Sequence, residues 1–161
     1  DRLKNDLNMK TLPKHIECFD NSNFQGSFPS SACVVFKNGR PSKKDYRHFN
    51  IKSVSSPDDF ASMEEVVFRR YSRMIDENKS LPNLIIIDGG KGLLSSSVRS
   101  LKKLGLEKKI CIIGIAKRLE EIYFYGESTP VYIDKRSPSL KLIQKLRDYK
   151  FKNCASFHDA I

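Results

Sequence analysis

Long apolar runs are missing from this 161-residue chain. No stretch approaches the ~18 apolar residues that a membrane-spanning helix needs, and the opening Asp1-Arg2-Leu3-Lys4-Asn5 holds no apolar signal segment. No segment combines a Lys/Arg face with bulky apolar residues opposite, so attachment to an acidic membrane surface is not expected. Cysteine is scarce and unpatterned: Cys18, Cys33, Cys111 and Cys154 form no Cys-x-x-Cys pair, and three lie in or beside apolar runs, where a thiol behaves as a small hydrophobe. They read as reduced core residues, and a cytoplasmic setting is expected. Internal repeats and low-complexity tracts are also lacking, although the polar ends leave open that the chain is a piece of a longer protein.

Acidic residues are in the minority. The chain carries 29 Lys plus Arg against 19 Asp plus Glu, a formal charge of +10. Net charge reports on partners rather than fold, and an excess of this sign favours an anionic partner, of which nucleic acid is the commonest for a soluble basic domain. The alternative is that the lysines only solvate the surface. With 39% hydrophobic residues the chain can bury one core, so a single domain over residues 13–161 with a lead-in at 1–12 is expected.

The apolar patterning predicts a strand over His15 to Asp20 that breaks at Asn21-Ser22-Asn23. A second strand runs from Ser31 to Lys37 and stops at Asn38-Gly39, a dipeptide suited to a tight turn because both residues tolerate positive φ. Tyr46 to Ile51 returns as a third antiparallel strand. Ser56-Pro57-Asp58-Asp59 has the residue types of a helix start, and Phe60, Met63, Val67, Tyr71 and Met74 recur at helical spacing. The uninterrupted run Leu84-Ile85-Ile86-Ile87 predicts a central strand covered on both faces. A helix over Leu93 to Leu104 and a strand over Ile110 to Ile115 follow. Glu121 to Tyr125 and Val131 to Ile133 suggest a small hairpin, and Ser137-Pro138 caps a final helix with Leu140, Ile143 and Leu146 inward. The fold class is therefore α/β: an antiparallel three-stranded meander continued by parallel strands into a mixed sheet, with helices packed on it.

Asp20 and Asp88 each end a predicted strand. A parallel crossover through the helix beginning near Asp59 would lay the fourth strand beside the first and bring these carboxylates together. Paired carboxylates suit Mg²⁺ or Mn²⁺, and such an ion orients a water, lowers its pKa and offsets charge building on a phosphate, which is the chemistry of phosphodiester hydrolysis. Either aspartate alone reads more readily as a turn residue accepting backbone N–H bonds, and it is the pair that points to a metal. Asp59 is a candidate third acid or a helix cap. Gly89-Gly90-Lys91-Gly92 lacks P-loop spacing and the Lys-Ser/Thr ending, so nucleoside triphosphate binding is excluded, while Lys91 is a candidate phosphate contact. Tyr46, Arg47, Arg69, Arg70, Tyr71, Lys117 and Arg118 recur near element ends, where they would rim an acidic centre and hold a polyanion, or else belong to solvated faces.

The segment Ile16-Glu17-Cys18-Phe19-Asp20-Asn21-Ser22-Asn23-Phe24-Gln25-Gly26-Ser27 resembles the opening motif of the UvrC endonuclease domain. Asp58-Asp59-Phe60-Ala61-Ser62-Met63, Arg69-Arg70-Tyr71, Leu84-Ile85-Ile86-Ile87-Asp88-Gly89-Gly90-Lys91-Gly92 and Gly114-Ile115-Ala116-Lys117-Arg118 follow in that family's order, so the resemblance covers residues 13 to about 150. It implies an RNase H-like fold and a metal-dependent DNA endonuclease making the 5′-side incision near a lesion. It further implies Asp20 and Asp88 as catalytic metal ligands, Asp59 as a further acidic position, and damage-recognition subunits of excision repair as partners beside DNA, with this chain a monomer. The full-length family has a second nuclease module upstream and a helix-hairpin-helix module downstream, neither of which is in this sequence. Two positions depart from the pattern. Phe151 stands where the family's final helix carries a histidine, in Arg147-Asp148-Tyr149-Lys150-Phe151-Lys152-Asn153, and Leu93 stands where glutamine is usual. Phenylalanine neither ligates metal nor carries a proton, which leaves open a weakened domain that binds DNA or a repair partner without cutting. His158 is the candidate substitute.

Overall fold

The structure is a computed structural model that describes residues 2–7, 9, 12–22, 30–50, 59–116, 121–127, 129–134 and 136–148. In chain order the elements are α1 (Arg2–Asp6), β1 (His15–Ser22), β2 (Ser30–Lys37), β3 (Arg40–Pro41), β4 (Arg47–Asn50), α2 (Asp59–Asp76), β5 (Leu84–Asp88), α3 (Gly90–Lys103), β6 (Cys111–Ile115), β7 (Glu121–Phe124) and β8 (Val131–Tyr132). A last helix, α4, spans 138–148. The strands form one eight-stranded sheet in the order β3-β2-β1-β5-β6-β7-β8, with β4 also paired to β2. β1 pairs antiparallel with β2 and parallel with β5, and β6 lies parallel to β5. This is the expected mixed sheet, and the crossover through α2 lays the fourth long strand beside the first, as anticipated.

The turn after β2 follows from its two residues. Asn38 and Gly39 both adopt positive φ, at 55° and 78°, the conformation a two-residue hairpin turn requires. The chain then makes one short pairing at Arg40–Pro41, passes a 3₁₀ turn at Lys43–Asp45 and returns as β4. The third strand is thus split in two: the Ser42 N–H still donates to the Val35 carbonyl at 2.8 Å, and the 3₁₀ turn at Lys43–Asp45 then interrupts the pairing. Ser56 and Pro57, expected to start α2, lie outside the described residues.

Strand alternation sorts the side chains onto two faces. His15, Glu17 and Phe19 face α2, for Glu17 bonds Arg70 and the Phe19 ring meets the Tyr71 ring edge-on at 5.9 Å. α3 lies on that same face, where Gly114 of β6 comes close to Gly90 and Leu94. Ile16, Cys18 and Asp20 face the other way. Their side is covered by α4, whose Lys145 stands over the ring of Phe36, the register partner of Ile16. The helix start at Ser137-Pro138 is observed: the Ser137 hydroxyl accepts from the Ser139 backbone N–H at 3.2 Å, and Leu140, Ile143 and Leu146 are buried. The stretch read as a lead-in takes part in this packing. Leu3 and Leu7 are buried, and the Asp6 carboxylate accepts from the hydroxyls of Ser137 and Ser139 at 2.8 and 2.6 Å.

Two helix readings need correction. Phe60, expected on the inward face of α2, is 53% exposed, and Val66 takes part in the core instead. The α3 helix begins at Gly90 rather than Leu93, because glycines let the chain turn sharply out of β5. Gly89 and Gly90 have φ of 154° and 84°, and a Cβ on Gly89 would lie 2.0 Å from Leu93 Cδ1. Cys18 and Cys33 are buried free thiols and Cys111 is a half-buried one, in line with the reduced-core reading, while Cys154 lies outside the described residues.

Candidate active site

β1 and β5 are parallel and register Phe19 with Ile87, so the next step along both strands sets Asp20 beside Asp88. Adjacent strands lie ~4.8 Å apart, and residues in register point to the same face. Both aspartates are half-buried. Each is fixed through its backbone: the Ser31 hydroxyl donates to the Asp20 carbonyl at 2.8 Å, and the Gly89 N–H that follows Asp88 donates to the Ile115 carbonyl at 2.9 Å. The first turn of α3 starts two residues beyond Asp88, so unsatisfied N–H groups and the positive end of the helix dipole stand at this edge. Such a terminus attracts an anion.

The start of α2 belongs to the same end of the molecule. Phe60 lies against Gly92, where a Cβ would meet its ring at 2.5 Å. Asp59 is the first residue of α2, and its carboxylate lies outside the described residues, as do Lys117, Arg118, Phe151 and His158. Leu93 is nearly buried and packs beneath Gly89. Hydrogen-bond chemistry of a glutamine is thereby replaced by apolar packing of the turn. The donor set at the edge is all oxygen, which fits a hard cation such as Mg²⁺ or Mn²⁺. Among the described residues no group of three His, Cys, Asp or Glu could by itself hold a metal ion.

The residues expected to rim this edge divide. Lys91 is exposed on the first turn of α3, with its ammonium 5.8 Å from the Tyr123 ring centre. Arg47 and Arg69 instead line a groove of about 710 Å³ under α2, on the opposite face of the sheet. Arg69 stands 5.3 Å over the Phe49 ring and 3.5 Å from Glu65. Arg47 donates to the carbonyls of Lys44 and Tyr46 at 3.0 and 2.7 Å. Tyr46 and Arg70, expected at the surface, are interior residues at 8% exposure each. Tyr46 turns inward because it precedes edge strand β4 and contributes its ring to the core.

Arg70 turns inward because of Glu17, a residue that sequence reasoning passed over. The guanidinium donates Nε and Nη2 to the two oxygens of the fully buried Glu17 carboxylate at 2.6 and 2.8 Å. The Tyr71 hydroxyl donates to the same carboxylate at 2.6 Å, and His15 Nε2 lies 2.8 Å from it. Burial alone would raise the Glu17 pKa, but hydrogen bonds from Arg70 and His15, the Arg70 charge and the Tyr71 hydroxyl outweigh it and hold the carboxyl down to about 2. A signal was present in the sequence: a glutamate in a strand flanked by Ile16 and Cys18 has to find a cation, and only a tertiary contact could say which.

A mixed α/β sheet carrying two carboxylates in register on adjacent parallel strands, with a helix opening beside one of them, is the arrangement the sequence led one to expect, except that β1 does not break after Asp20 but stays paired to β2 through Ser22. Residues 4–150 match the family described as the UvrC RNAse H endonuclease domain. The UvrABC system protein C of Flavobacterium psychrophilum is 62% identical over 157 residues, covering 98% of this chain and 26% of that protein. That of Methanococcus maripaludis is 53% identical over 146 residues, covering 91% of this chain and 27% of that protein. A solved endonuclease V of Ciona intestinalis, in complex with a 24mer DNA containing an inosine followed by a ribo-adenosine, is similar at TM-score 0.47 and 15% identity, covering 92% of this chain and 65% of that one. The chain belongs to the UvrC RNase H endonuclease domain family and has its RNase H-like fold. It spans about a quarter of the length of the curated relatives it matches. No helix among the described residues is long and apolar enough to cross a membrane.

Proposed function

We propose that this chain is the metal-dependent DNA endonuclease part of a nucleotide excision repair protein and makes the 5′-side incision near a lesion. The observation that carries the reading is the register of β1 and β5, which sets Asp20 beside Asp88 at one sheet edge. The two carboxylates would hold Mg²⁺ or Mn²⁺, with Asp59 as a further acid. When bound, such an ion supplies charge neutralisation at the phosphate and a water of lowered pKa. The chain's own groups do the rest. Backbone N–H groups in the first turn of α3 receive the phosphate oxygens, Lys91 adds a cation at the same turn, and the packed Gly89–Leu93 and Gly92–Phe60 contacts keep that turn rigid against the strand ends. Arg47 and Arg69, with Lys117 and Arg118, would hold more distant parts of the polyanion. Partners from the same repair system would deliver the lesion, to a monomer acting in the cytoplasm.

The test is a nicking assay with Mg²⁺ or Mn²⁺ on a damaged or nicked duplex, run beside Asp20→Asn. Metal-dependent nicking that the substitution abolishes supports the reading, and nicking that survives it overturns the site. Phe151 favours a second reading, a domain that binds without cutting well. Since a positioned acid or base is worth roughly 10² to 10⁴ in rate, Phe151→His should raise a weak nicking rate by a factor within that range. An unchanged rate in a variant that binds DNA and metal normally would remove Phe151 as the limiting feature.

A further inference from the structure

On the side of β5 away from β1, the first turn of α3 leads onto a strip of tyrosines. Gly114 of β6 registers with Tyr123 of β7 and comes close to Gly90, so Tyr123 lies on the α3 face. Lys91 stands over its ring, with Nζ 5.8 Å from the centre. Glu121 is two residues back on the same face and registers with Tyr132 of β8, which makes Tyr132 a diagonal neighbour of Tyr123. Just past the end of β7 comes Tyr125. Lys102, in the last turn of α3, stands 4.7 Å over that ring and donates to its hydroxyl at 2.8 Å. Tyr132 and Tyr125 are 67% and 49% exposed, and Tyr123 is half-buried.

Exposed aromatic rings interleaved with ammonium groups suit unpaired nucleic-acid bases, because every base has a π-face to stack and the cations follow its backbone. The strip is also in the right place. β8 lies three strand spacings of ~4.8 Å from β5, about 14 Å in all, and the α3 turn assigned above to phosphate lies on the way. Other occupants fit less well. β8 is only two residues long, too short to template a strand from another chain. The Glu121 carboxylate, which accepts from the Tyr123 hydroxyl at 3.4 Å, repels a phosphate at the near end of the strip but not a base.

We infer that Tyr132 and Tyr125 stack unpaired bases of the DNA strand that leaves the Asp20–Asp88 edge over the first turn of α3, with Lys102 on a phosphate further along. This placement rests on the metal-site reading proposed above and deepens it by naming the substrate class: DNA that is unpaired on the β8 side of the incision. A base inside a duplex is stacked between its neighbours and offers no face to a side chain.

Binding measured in EDTA separates the stacking from cleavage. The affinities of this chain for a single-stranded oligonucleotide and for the intact duplex of the same sequence can be read by anisotropy, and a 2-aminopurine in the single strand reports stacking through its quenching. Tyr132→Ala should weaken single-strand binding roughly 5- to 10-fold, the lower part of the range for one aromatic stack. Duplex affinity should stay at the parent's value, and part of the quenching should be lost. Tyr132→Phe, which keeps the ring, should behave as the parent. Tyr132→Leu, which keeps only an apolar side chain on the edge strand, should behave as Tyr132→Ala, with circular dichroism reporting the parent's fold. None of these three changes charge, so the salt slope should hold, whereas Lys102→Ala should lower the single-strand slope by about 0.7. If Tyr132→Ala weakens single strand and duplex equally or neither, if Tyr132→Leu binds as the parent, or if 2-aminopurine stays unquenched, the stacking site is refuted and the metal site, judged by nicking with Asp20→Asn, stands. Loss of self-association in sedimentation with DNA affinity intact would make β8 a contact between copies and refute it equally. If the parent binds neither DNA, the nucleic-acid reading itself fails and the stacking site with it.

Discussion

Two carboxylates three residues apart on one strand, Glu17 and Asp20, have opposite surroundings. Glu17 points under α2, is fully buried, and has both oxygens occupied by Arg70, Tyr71 and His15. Asp20 points to the other face, stays half-buried, and has another carboxylate as its neighbour on the adjacent strand. The first arrangement cancels a charge inside the protein and ties β1 to α2. The second sets two half-buried carboxylates side by side on adjacent strands. Full burial under donors marks a structural acid, whereas two acids brought side by side on adjacent strands could share a cation.

The largest effect should come from the edge. Asp20→Asn or Asp88→Asn should lower nicking by at least ~10³-fold, the loss of a shared metal ligand, while thermal unfolding shifts by no more than a few degrees or rises. A large loss of stability would erase the contrast. The reverse is expected at the buried pair: Glu17→Ala or Arg70→Ala leaves an unpartnered charge and should cost roughly 3 to 5 kcal/mol in urea unfolding. Nicking per folded molecule should stay close to the parent's, and a variant as stable as the parent would break the comparison at this end.

Acid sharpens the same contrast with a somewhat smaller effect. Glu17 has a folded pKa of about 2 against an ordinary 4.5. A depressed carboxyl stabilises the fold above its unfolded pKa, so the contribution is fully present above about pH 4.5 and is lost as pH falls toward 2. It is on the order of 3 kcal/mol, and Glu17→Gln should flatten the acid limb of a stability-versus-pH curve measured by urea titration. Unchanged acid sensitivity in that variant would assign the limb to other carboxylates such as Asp45, which is also held down to about 2: its partial burial raises it, and Ser42 and Lys37 more than offset this.

The smallest effect concerns the outer cations. If ~4 to 6 phosphates are engaged, log K for DNA against log salt should slope roughly −4 to −5, and removing one phosphate-contacting cation should reduce that slope by about 1. Lys91→Ala, at the metal edge, and Arg47→Ala, in the groove on the other face, can be compared directly. A change with Lys91 alone would confine DNA to the aspartate face. Equal changes would mean that the polyanion reaches around the edge strand β4 to both faces.

Much of this was readable before any coordinates. The Asn38-Gly39 turn, the β-branched run of β5 and the Ser137-Pro138 helix start are local devices, whose conformations follow from φ preferences, χ1 restriction and capping within a few residues. The pairing of Asp20 with Asp88 was also within reach, because right-handed crossover connections leave few ways to lay one strand beside another. Arg70 shows where such reasoning stops. Its neighbour Arg69 has the same side chain and the same local sequence, yet one is half-exposed above an aromatic ring and the other is buried against Glu17. One helical step of 100° separates surface from core, and which side is core depends on where β1 lies. The sequence by itself determined most of the elements, the turns and the two candidate acids, since these are set by interactions short in sequence. Only the tertiary structure decided which acids and cations neutralise each other and which face of the sheet each occupies, together with the strip that leads from Lys91 to Tyr132, because those depend on register between segments tens of residues apart.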